Sequence, residues 1–323
     1  MSPKLDDAVL IDDWHVVALA SDVGDHPVGV TLLGRDLVVW RGVDSIHVWD
    51  DLCRHRGSRL SLGTIADGCL TCPYHGWVYD GTGKCIRIPA HPDQPPPGRA
   101  TVPSYTARER YGWIWVSLGD PRHDIPVFPE WADPAFRKIH CGPYRFRAAA
   151  PRAIENFLDV AHFPFVHEGY LGDPAHAEIS DYEVTTDAHG ITADGITVWQ
   201  PNPDGTGVGK PVTYTYKIWR PLTVYFRKQA DQVFAIYFTV TPIDETESIG
   251  WMCETLNYAH DVPDADLRAF QDEVTAQDVP IVEGQRPELL PLDLQAELHL
   301  KSDKTSIAYR RWLNELGLTF GTS

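Results

Sequence analysis

Cys53-Arg54-His55-Arg56-Gly57 and Cys72-Pro73-Tyr74-His75-Gly76-Trp77 are the two stretches on which the fold of this chain turns. They spell C-x-H, a gap of 16 residues, then C-x2-H. Each half offers one soft thiolate and one imidazole, and turn residues flank both: Gly57 in the first, Pro73 and Gly76 in the second. Two cysteines and two histidines suit a tetrahedral zinc ion. They equally suit a [2Fe–2S] cluster with both thiolates on one iron and both imidazoles on the other, at potentials of roughly −150 to +300 mV. Cys69 and Cys72 spell an overlapping CxxC, but zinc bound that way leaves His75 idle, so Cys69 is expected to be a packed core cysteine.

Around these loops the sequence reads as short strands. Trp14 to Ala20, Val30 to Trp40, Ser45 to Trp49, Gly76 to Tyr79 and Tyr111 to Ser117 are rich in β-branched and aromatic residues. Asp80-Gly81-Thr82-Gly83 predicts a hairpin turn. The proline-rich run from Pro89 to Gly98 fits neither a central strand nor a helix interior. Prolines at 121, 126, 129 and 134 mark a connector, which places an antiparallel β domain at 1–130 and a second domain at 131–323. In the second, Val184 to Trp199, Pro211 to Lys228 and Gln232 to Tyr258 predict a larger antiparallel sheet. A helix is expected from Asp264 to about Glu283, buried through Leu267, Phe270, Val274 and Ile281. The fold class is α+β.

Composition narrows the function. The 323 residues carry a net charge of −17, which disfavours binding to the phosphates of nucleic acid. Six cysteines are too few for a disulfide scaffold at this length, so thiols are expected free or on metal. The opening residues have neither a basic n-region nor an apolar h-region, and no apolar run approaches a membrane span. A cytoplasmic protein without membrane contact is expected.

The two Cys/His loops resemble, nearly residue for residue, the cluster-binding loops of the Rieske iron–sulfur fold. Rieske proteins of respiratory and photosynthetic complexes add a cysteine to each loop. Ser58 stands near one such place and Tyr74 occupies the other, so the pattern is similar to that of Rieske oxygenases and their ferredoxins. Arg54, Arg56 and Arg59 crowd the first loop, either as solvated charge balancing the cluster or as a docking patch for an acidic electron donor.

A second constellation lies at Asp159, His162 and His167, a D-x2-H-x4-H run. Asp159 and His162 are spaced for one helical face, and Pro164 is expected to end or kink that helix so that His167 turns back beside His162. Two imidazoles and a carboxylate form the facial triad of non-haem Fe(II) oxygenases, although alone such residues are more often ordinary polar positions than ligands. A cluster domain followed by this run resembles the alpha subunit of Rieske non-haem iron oxygenases over essentially the whole chain.

That resemblance implies roles. Cys53, His55, Cys72 and His75 hold the [2Fe–2S] cluster, and His162 and His167 hold a mononuclear Fe(II). The third iron ligand falls in the segment Ala276 to Glu283 as Asp278, with Asp272, Glu273 and Glu283 as local competitors. Asp159 bridges to His75 of a neighbouring subunit, and Asn156 places an amide near the iron. The second domain is helix-grip-like, an antiparallel sheet with helices. The compact length is similar to homotrimeric vanillate and dicamba O-demethylases, and tail and connector also resemble cyanobacterial saxitoxin-tailoring oxygenases. The implied activity is monooxygenation with O2, by hydroxylation or oxidative demethylation, of a small aromatic or alkaloid-like substrate. Electrons come from a ferredoxin or a flavin-dependent NAD(P)H reductase. The rival reading is a Rieske electron carrier fused to a non-catalytic ligand-binding domain. Aromatics from Tyr214 to Phe238 divide between cavity wall and plain core.

Overall fold

A computed structural model of the chain describes residues 7–203, 205–229 and 232–323. They form two compact units that divide between Asp124 and Ile125. The expected break was 130/131. Residues 125–130 go with the second unit because Ile125 and Phe128 are buried, Phe128 packs on Tyr237 at 5.0 Å, and Tyr225 donates to Glu130 at 2.7 Å.

The first unit opens with a short helix, α1 (Ala8–Ile11), and holds β1 (His15–Leu19), β2 (Val28–Leu32), β3 (Arg35–Arg41) and β4 (Ile46–Asp50). There follow β5 (Thr64–Ala66), β6 (Cys69–Thr71), β7 (Val78–Tyr79), β8 (Cys85–Arg87), β9 (Ser104–Arg110) and β10 (Trp113–Ser117). They make a six-stranded sheet ordered β1-β10-β9-β4-β3-β2 and a four-stranded sheet β5-β6-β7-β8. The expected hairpin turn joins β7 to β8, where the Asp80 carboxylate accepts hydrogen bonds from the Thr82 backbone N–H and hydroxyl. Trp40, Trp49, Leu60, Leu70 and Tyr79 pack around Cys53 and Cys72 in one core. Each such buried side chain contributes about 2 kcal/mol, so the loops carrying the cysteines are held from beneath. Cys69 is not part of that core. Side chains alternate along β6, and the fully buried Leu70 puts Cys69 on the other face, while Cys85 takes the core position that was expected of Cys69.

The second unit is a seven-stranded antiparallel sheet ordered β11-β17-β16-β15-β14-β13-β12. Its strands are β11 (Arg137–Phe146), β12 (Glu183–Asp187), β13 (Gly190–Gln200), β14 (Lys210–Arg220), β15 (Thr223–Gln229), β16 (Phe234–Pro242) and β17 (Ser248–Leu256). Helices α2 (Ala150–Leu158), α3 (Phe163–Val166), α4 (Asp264–Gly284) and α5 (Lys304–Leu316) complete it. α2 packs on β16 and β17, and α4 packs on β11. The α+β architecture holds.

α4 is turned from the expected orientation. Gln271, Val274, Thr275 and Val282 face inward, whereas Phe270 and Ile281 are about half exposed. Val274 is common to both stripes, so the face is turned by less than the roughly 100° of one residue step, from 270 to 271 and from 281 to 282. The apolar periodicity misled because this face lines a cavity, where polar residues are accepted. No helix among the described residues is long and apolar enough to cross a membrane.

Candidate metal centres and substrate cavity

The two Cys/His loops are built alike. Gly57 N–H donates to Cys53 O at 3.0 Å, and Gly76 N–H donates to Cys72 O at 3.1 Å. Cys53 N–H reaches Ser58 O, and Cys72 N–H reaches Trp77 O, both at 2.8 Å. Both glycines sit at positive φ, +69° and +66°, where a side chain is disfavoured. This wrapping buries both thiols and leaves His75 exposed and His55 half-buried. The imidazoles approach with Nδ1 atoms 3.1 Å apart, and the His55 ring stacks on Trp77 at 4.6 Å. Tyr79 Oη lies 3.2 Å from Cys53 Sγ.

The donor set discriminates between zinc and a cluster. Among the described residues, only His162, His167 and Asp278 bring three donor atoms within 4.8 Å of one another. Donors of a tetrahedral zinc site, at bonds of roughly 2.0–2.3 Å, would all fall inside that limit. The four Cys/His donors are spread more widely, with thiols inward and imidazoles outward, which fits a two-iron cluster.

In the second unit, α2 stops at Leu158, and Asp159 is already extended at φ −83°, ψ 131°. Its carboxylate accepts the Ala161 N–H at 2.8 Å, a local turn that competes with the helix. Asp159 and His162 therefore do not share a helix, and Pro164 does not end one: it occupies the first turn of α3. The outcome expected for the histidines still holds, with His162 Nε2 and His167 Nε2 3.2 Å apart.

Asp278 reaches the same point from α4, with Oδ1 3.4 Å from His162 Nε2 and 3.2 Å from His167 Nε2. The competitors are engaged elsewhere or face solvent. Asp272 accepts from Tyr144 at 2.7 Å, Glu283 is bound by Arg147 at 2.7 Å, and Glu273 is exposed. The far side of each imidazole is also held: His162 Nδ1 lies 3.2 Å from Asp159 Oδ2, and His167 Nδ1 lies 2.8 Å from Gln277 Oε1. With Nδ1–H donating outward, both Nε2 lone pairs face Asp278. Asp278 Oδ1 is buried with no hydrogen-bond partner. A carboxylate oxygen orphaned beside two imidazole lone pairs fits a divalent iron, because separations near 3 Å are those of adjacent ligands on one ion.

Behind α2, buried arginines fix the helix. Arg310 on α5 donates to both carboxylate oxygens of Glu155, at 2.6 and 2.7 Å, and Arg152 pairs with Glu297 at 3.0 Å. Asn156, the next residue, lines a cavity of about 500 Å³ that also borders His162, His167 and Asp278. Strand alternation sorts the aromatics. Tyr214, Tyr216 and Phe238 line the cavity, whereas Trp219 stacks on Tyr225 at 5.1 Å and Tyr237 donates to Pro126 O. Sequence reasoning missed Tyr79, Gln277 and Glu254, since only strand pairing and helix rotation bring them to the two centres and the cavity.

Residues 13–106 match the Rieske [2Fe-2S] domain family, and residues 146–319 match the vanillate O-demethylase oxygenase C-terminal domain family. The chain is 34% identical over 322 residues to methylxanthine N1-demethylase NdmA of Pseudomonas putida, covering 94% of this chain and 88% of the relative. It is 37% identical over 329 residues to the probable methylxanthine N7-demethylase NdmC of Pseudomonas sp. (strain TJI-51), covering 98% of each. The solved structure of Pseudomonas putida CBB5 NdmA with caffeine aligns at a TM-score of 0.84 and 31% identity, over 95% of this chain and 91% of that one. An electron carrier fused to a non-catalytic domain finds no support among such full-length relatives. Enzymes of this kind hold a [2Fe–2S] cluster and a mononuclear iron, consume O2, and draw electrons from a reductase or ferredoxin. Two domain matches that together span most of the sequence, and demethylases related along its length, make this chain a member of the Rieske non-haem iron oxygenases, an alpha subunit and monooxygenase of the demethylase type.

Proposed function

We propose that the chain oxidatively N-demethylates a small, neutral, methylated heteroaromatic of the methylxanthine kind. The observation that carries this reading is full-length similarity to N-demethylases of methylxanthines, joined to an aromatic-walled cavity that opens on His162, His167 and Asp278. Cys53, His55, Cys72 and His75 hold the cluster, and His162, His167 and Asp278 hold the iron. When bound, these groups supply electron storage and reductive activation of O2. In the balanced reaction, one O2, two electrons, two protons and an N-methyl group give N–H, formaldehyde and water.

The side chains then have separate tasks. Phe157 stacks on Phe238 at 4.8 Å and on Phe226 at 5.5 Å, giving flat walls that hold a planar ring and exclude water. Asn156 offers an amide to the cavity beside the histidines. Asp159 anchors His162 Nδ1 while its carboxylate stays about one-third exposed, which suits a bridge to the exposed His75 of a neighbouring subunit in a homotrimer. Arg59 is paired with Asp36 at 2.8 Å, so the exposed Arg54 and Arg56 are the charges left to steer a ferredoxin or flavin-dependent NAD(P)H reductase. None of the six cysteines is joined in a disulfide, which suits a reducing cytoplasm.

The reading is tested by O2 uptake and formaldehyde release from the reconstituted holoenzyme with caffeine, theobromine and a methoxybenzoate. Uptake with stoichiometric formaldehyde from a methylxanthine supports it. Formaldehyde from the methoxybenzoate alone would move the substrate to the O-methyl class.

A further inference from the structure

Most polar groups around the cavity are satisfied by one another. Gln200 Nε2 donates to Tyr214 Oη at 2.8 Å, Lys228 Nζ donates to Gln200 Oε1 and Pro203 O, and Gln271 Nε2 donates to Thr275 Oγ1 at 3.3 Å. Glu254 differs. It stands on β17 between Met252 and Leu256, lines the cavity, and is only 3% exposed, yet no hydrogen bond from a described residue reaches its carboxyl group. Tyr216 Oη also lacks a hydrogen-bond partner, but it is a hydroxyl, whose burial costs less than that of a carboxyl group able to ionise. A buried carboxyl without a partner is costly, and natural cores rarely keep one without a use for it.

Its position suits an anchor. Glu254 pairs across the sheet with Ile236, Ile236 with Phe226, and Phe226 with Tyr216, a row that spans four strands. At about 4.8 Å per strand the ends of that row are about 14 Å apart. Tyr216 marks the iron end, since the charges of Asp159 and Asp278 bear on its hydroxyl. Along α4, Asp272 is the acidic neighbour of Glu254, and it stands about 9 Å of helix rise from Asp278. That separation leaves room for one fused ring system.

Resting on the methylxanthine reading above, we propose that Glu254 is the polar anchor of the cavity, its carboxyl group hydrogen-bonding a carbonyl or ring nitrogen of a neutral heteroaromatic so that the opposite methyl group faces the iron site. Burial and the Asp272 charge push the carboxyl up to about 8, so it carries a proton at neutral pH and donates. The titratable groups around it are Asp272 from α4 and the Cys141 thiol from β11, with the Cys253 thiol on the opposite face of its own strand, while β16 presents Ile236. An uncharged carboxyl selects neutral acceptors over cations.

The test is anaerobic calorimetric titration of the holoenzyme, as wild type, E254Q and E254L, with caffeine, theobromine and the phenyltrimethylammonium cation. Loss of one hydrogen bond predicts that E254L weakens both methylxanthines about tenfold or more, while E254Q stays within about threefold. Wild-type affinity for caffeine, which has no proton to lose in this range, should fall from pH 7 to pH 9, and that of E254Q should stay flat. This second readout does not depend on E254L folding. Equal affinity in wild type and E254L, or a flat wild-type pH profile, overturns the anchor alone. Tighter binding of the cation by wild type than by E254Q overturns it in favour of charge recognition. A wild type that binds neither methylxanthine overturns the substrate class and the anchor with it.

Discussion

Gln277 Oε1 lies 2.8 Å from His167 Nδ1, and the next residue, Asp278, sets Oδ1 3.2 Å from Nε2 of the same ring. Two consecutive residues of α4 thus grip one imidazole by both nitrogens. Asp159 does for His162 what Gln277 does for His167, so each ring is pinned at Nδ1 by a different segment of chain.

Replacing Gln277 by Leu removes the acceptor while leaving all three proposed ligands in place. Partners of this kind are worth roughly 10–100-fold in metal affinity. Q277L should therefore lose mononuclear iron at limiting metal, while acid-labile sulfide, which reports the cluster, stays at the wild-type level. D278A should lose that iron outright. Metal analysis beside a sulfide assay separates the two centres, and full iron retention in D278A would move the third ligand elsewhere.

Asp159→Asn keeps an oxygen near His162 Nδ1 but removes the negative charge. Both metals should stay bound. Turnover should drop by at least about tenfold, because a charged bridge to a neighbouring imidazole is stronger than a neutral one by more than about 1.4 kcal/mol. Steady-state O2 uptake with iron content as the control reads this. Undiminished turnover in D159N would remove the bridging role.

Tyr79 Oη stands 3.2 Å from Cys53 Sγ, and burial keeps the phenol protonated. Hydrogen bonds to ligand sulfur stabilise the reduced, more negative cluster. Y79F should lower the reduction potential by roughly 40 mV, the equivalent of a hydrogen bond worth about 1 kcal/mol. Redox titration followed by visible absorption measures it. An unchanged potential would mean that Tyr79 only packs.

How much of this was readable in the sequence depended on how local each determinant is. The two Cys/His loops are contiguous stretches, thiols, imidazoles and turn glycines together, so the grouping of Cys53, His55, Cys72 and His75 was legible directly. The Asp159 to His167 run was legible for the same reason, although its local path was misread: an Asp159 side-chain turn ended α2 before Pro164 could. Asp278 needed the family resemblance, because a 21-residue acidic helix offers several carboxylates and spacing does not choose among them. β11 escaped notice, since Arg137, Lys138, Arg145 and a bulge near Pro143 break the alternation of a strand. Glu254 and Gln277 could not be found locally. What singles them out is strand pairing and the rotation of α4, both set by contacts far away in sequence.

The buried Arg310–Glu155 pair should dominate the stability of the second unit. Arg310 is almost fully buried and also binds Glu297, so R310M leaves the carboxylates of Glu155 and Glu297 to share the single buried cation of Arg152. Breaking a buried pair from one side costs roughly 3–5 kcal/mol. Denaturant unfolding should show that loss in R310M, with the larger part recovered in E155M/R310M, where an apolar pair replaces the ions. A single variant as stable as wild type would mean that α2 is held by its apolar contacts alone.

Glu254 makes stability depend on pH with a definite sign. Its carboxyl is raised from 4.5 to about 8 in the folded chain. Between those values the folded state keeps a proton that the unfolded state has released, so raising pH favours unfolding. The stabilisation is complete below about pH 4.5, declines through neutrality and is gone above about pH 8, a total on the order of a few kcal/mol. E254Q cannot titrate there, and every other group contributes equally to both proteins. The melting temperature of wild type minus that of E254Q should therefore fall steadily from pH 5.5 to 8 and then level. A difference that stays constant over this interval would mean that Glu254 is ionised in the folded protein, and its carboxyl would then have no proton to offer a carbonyl.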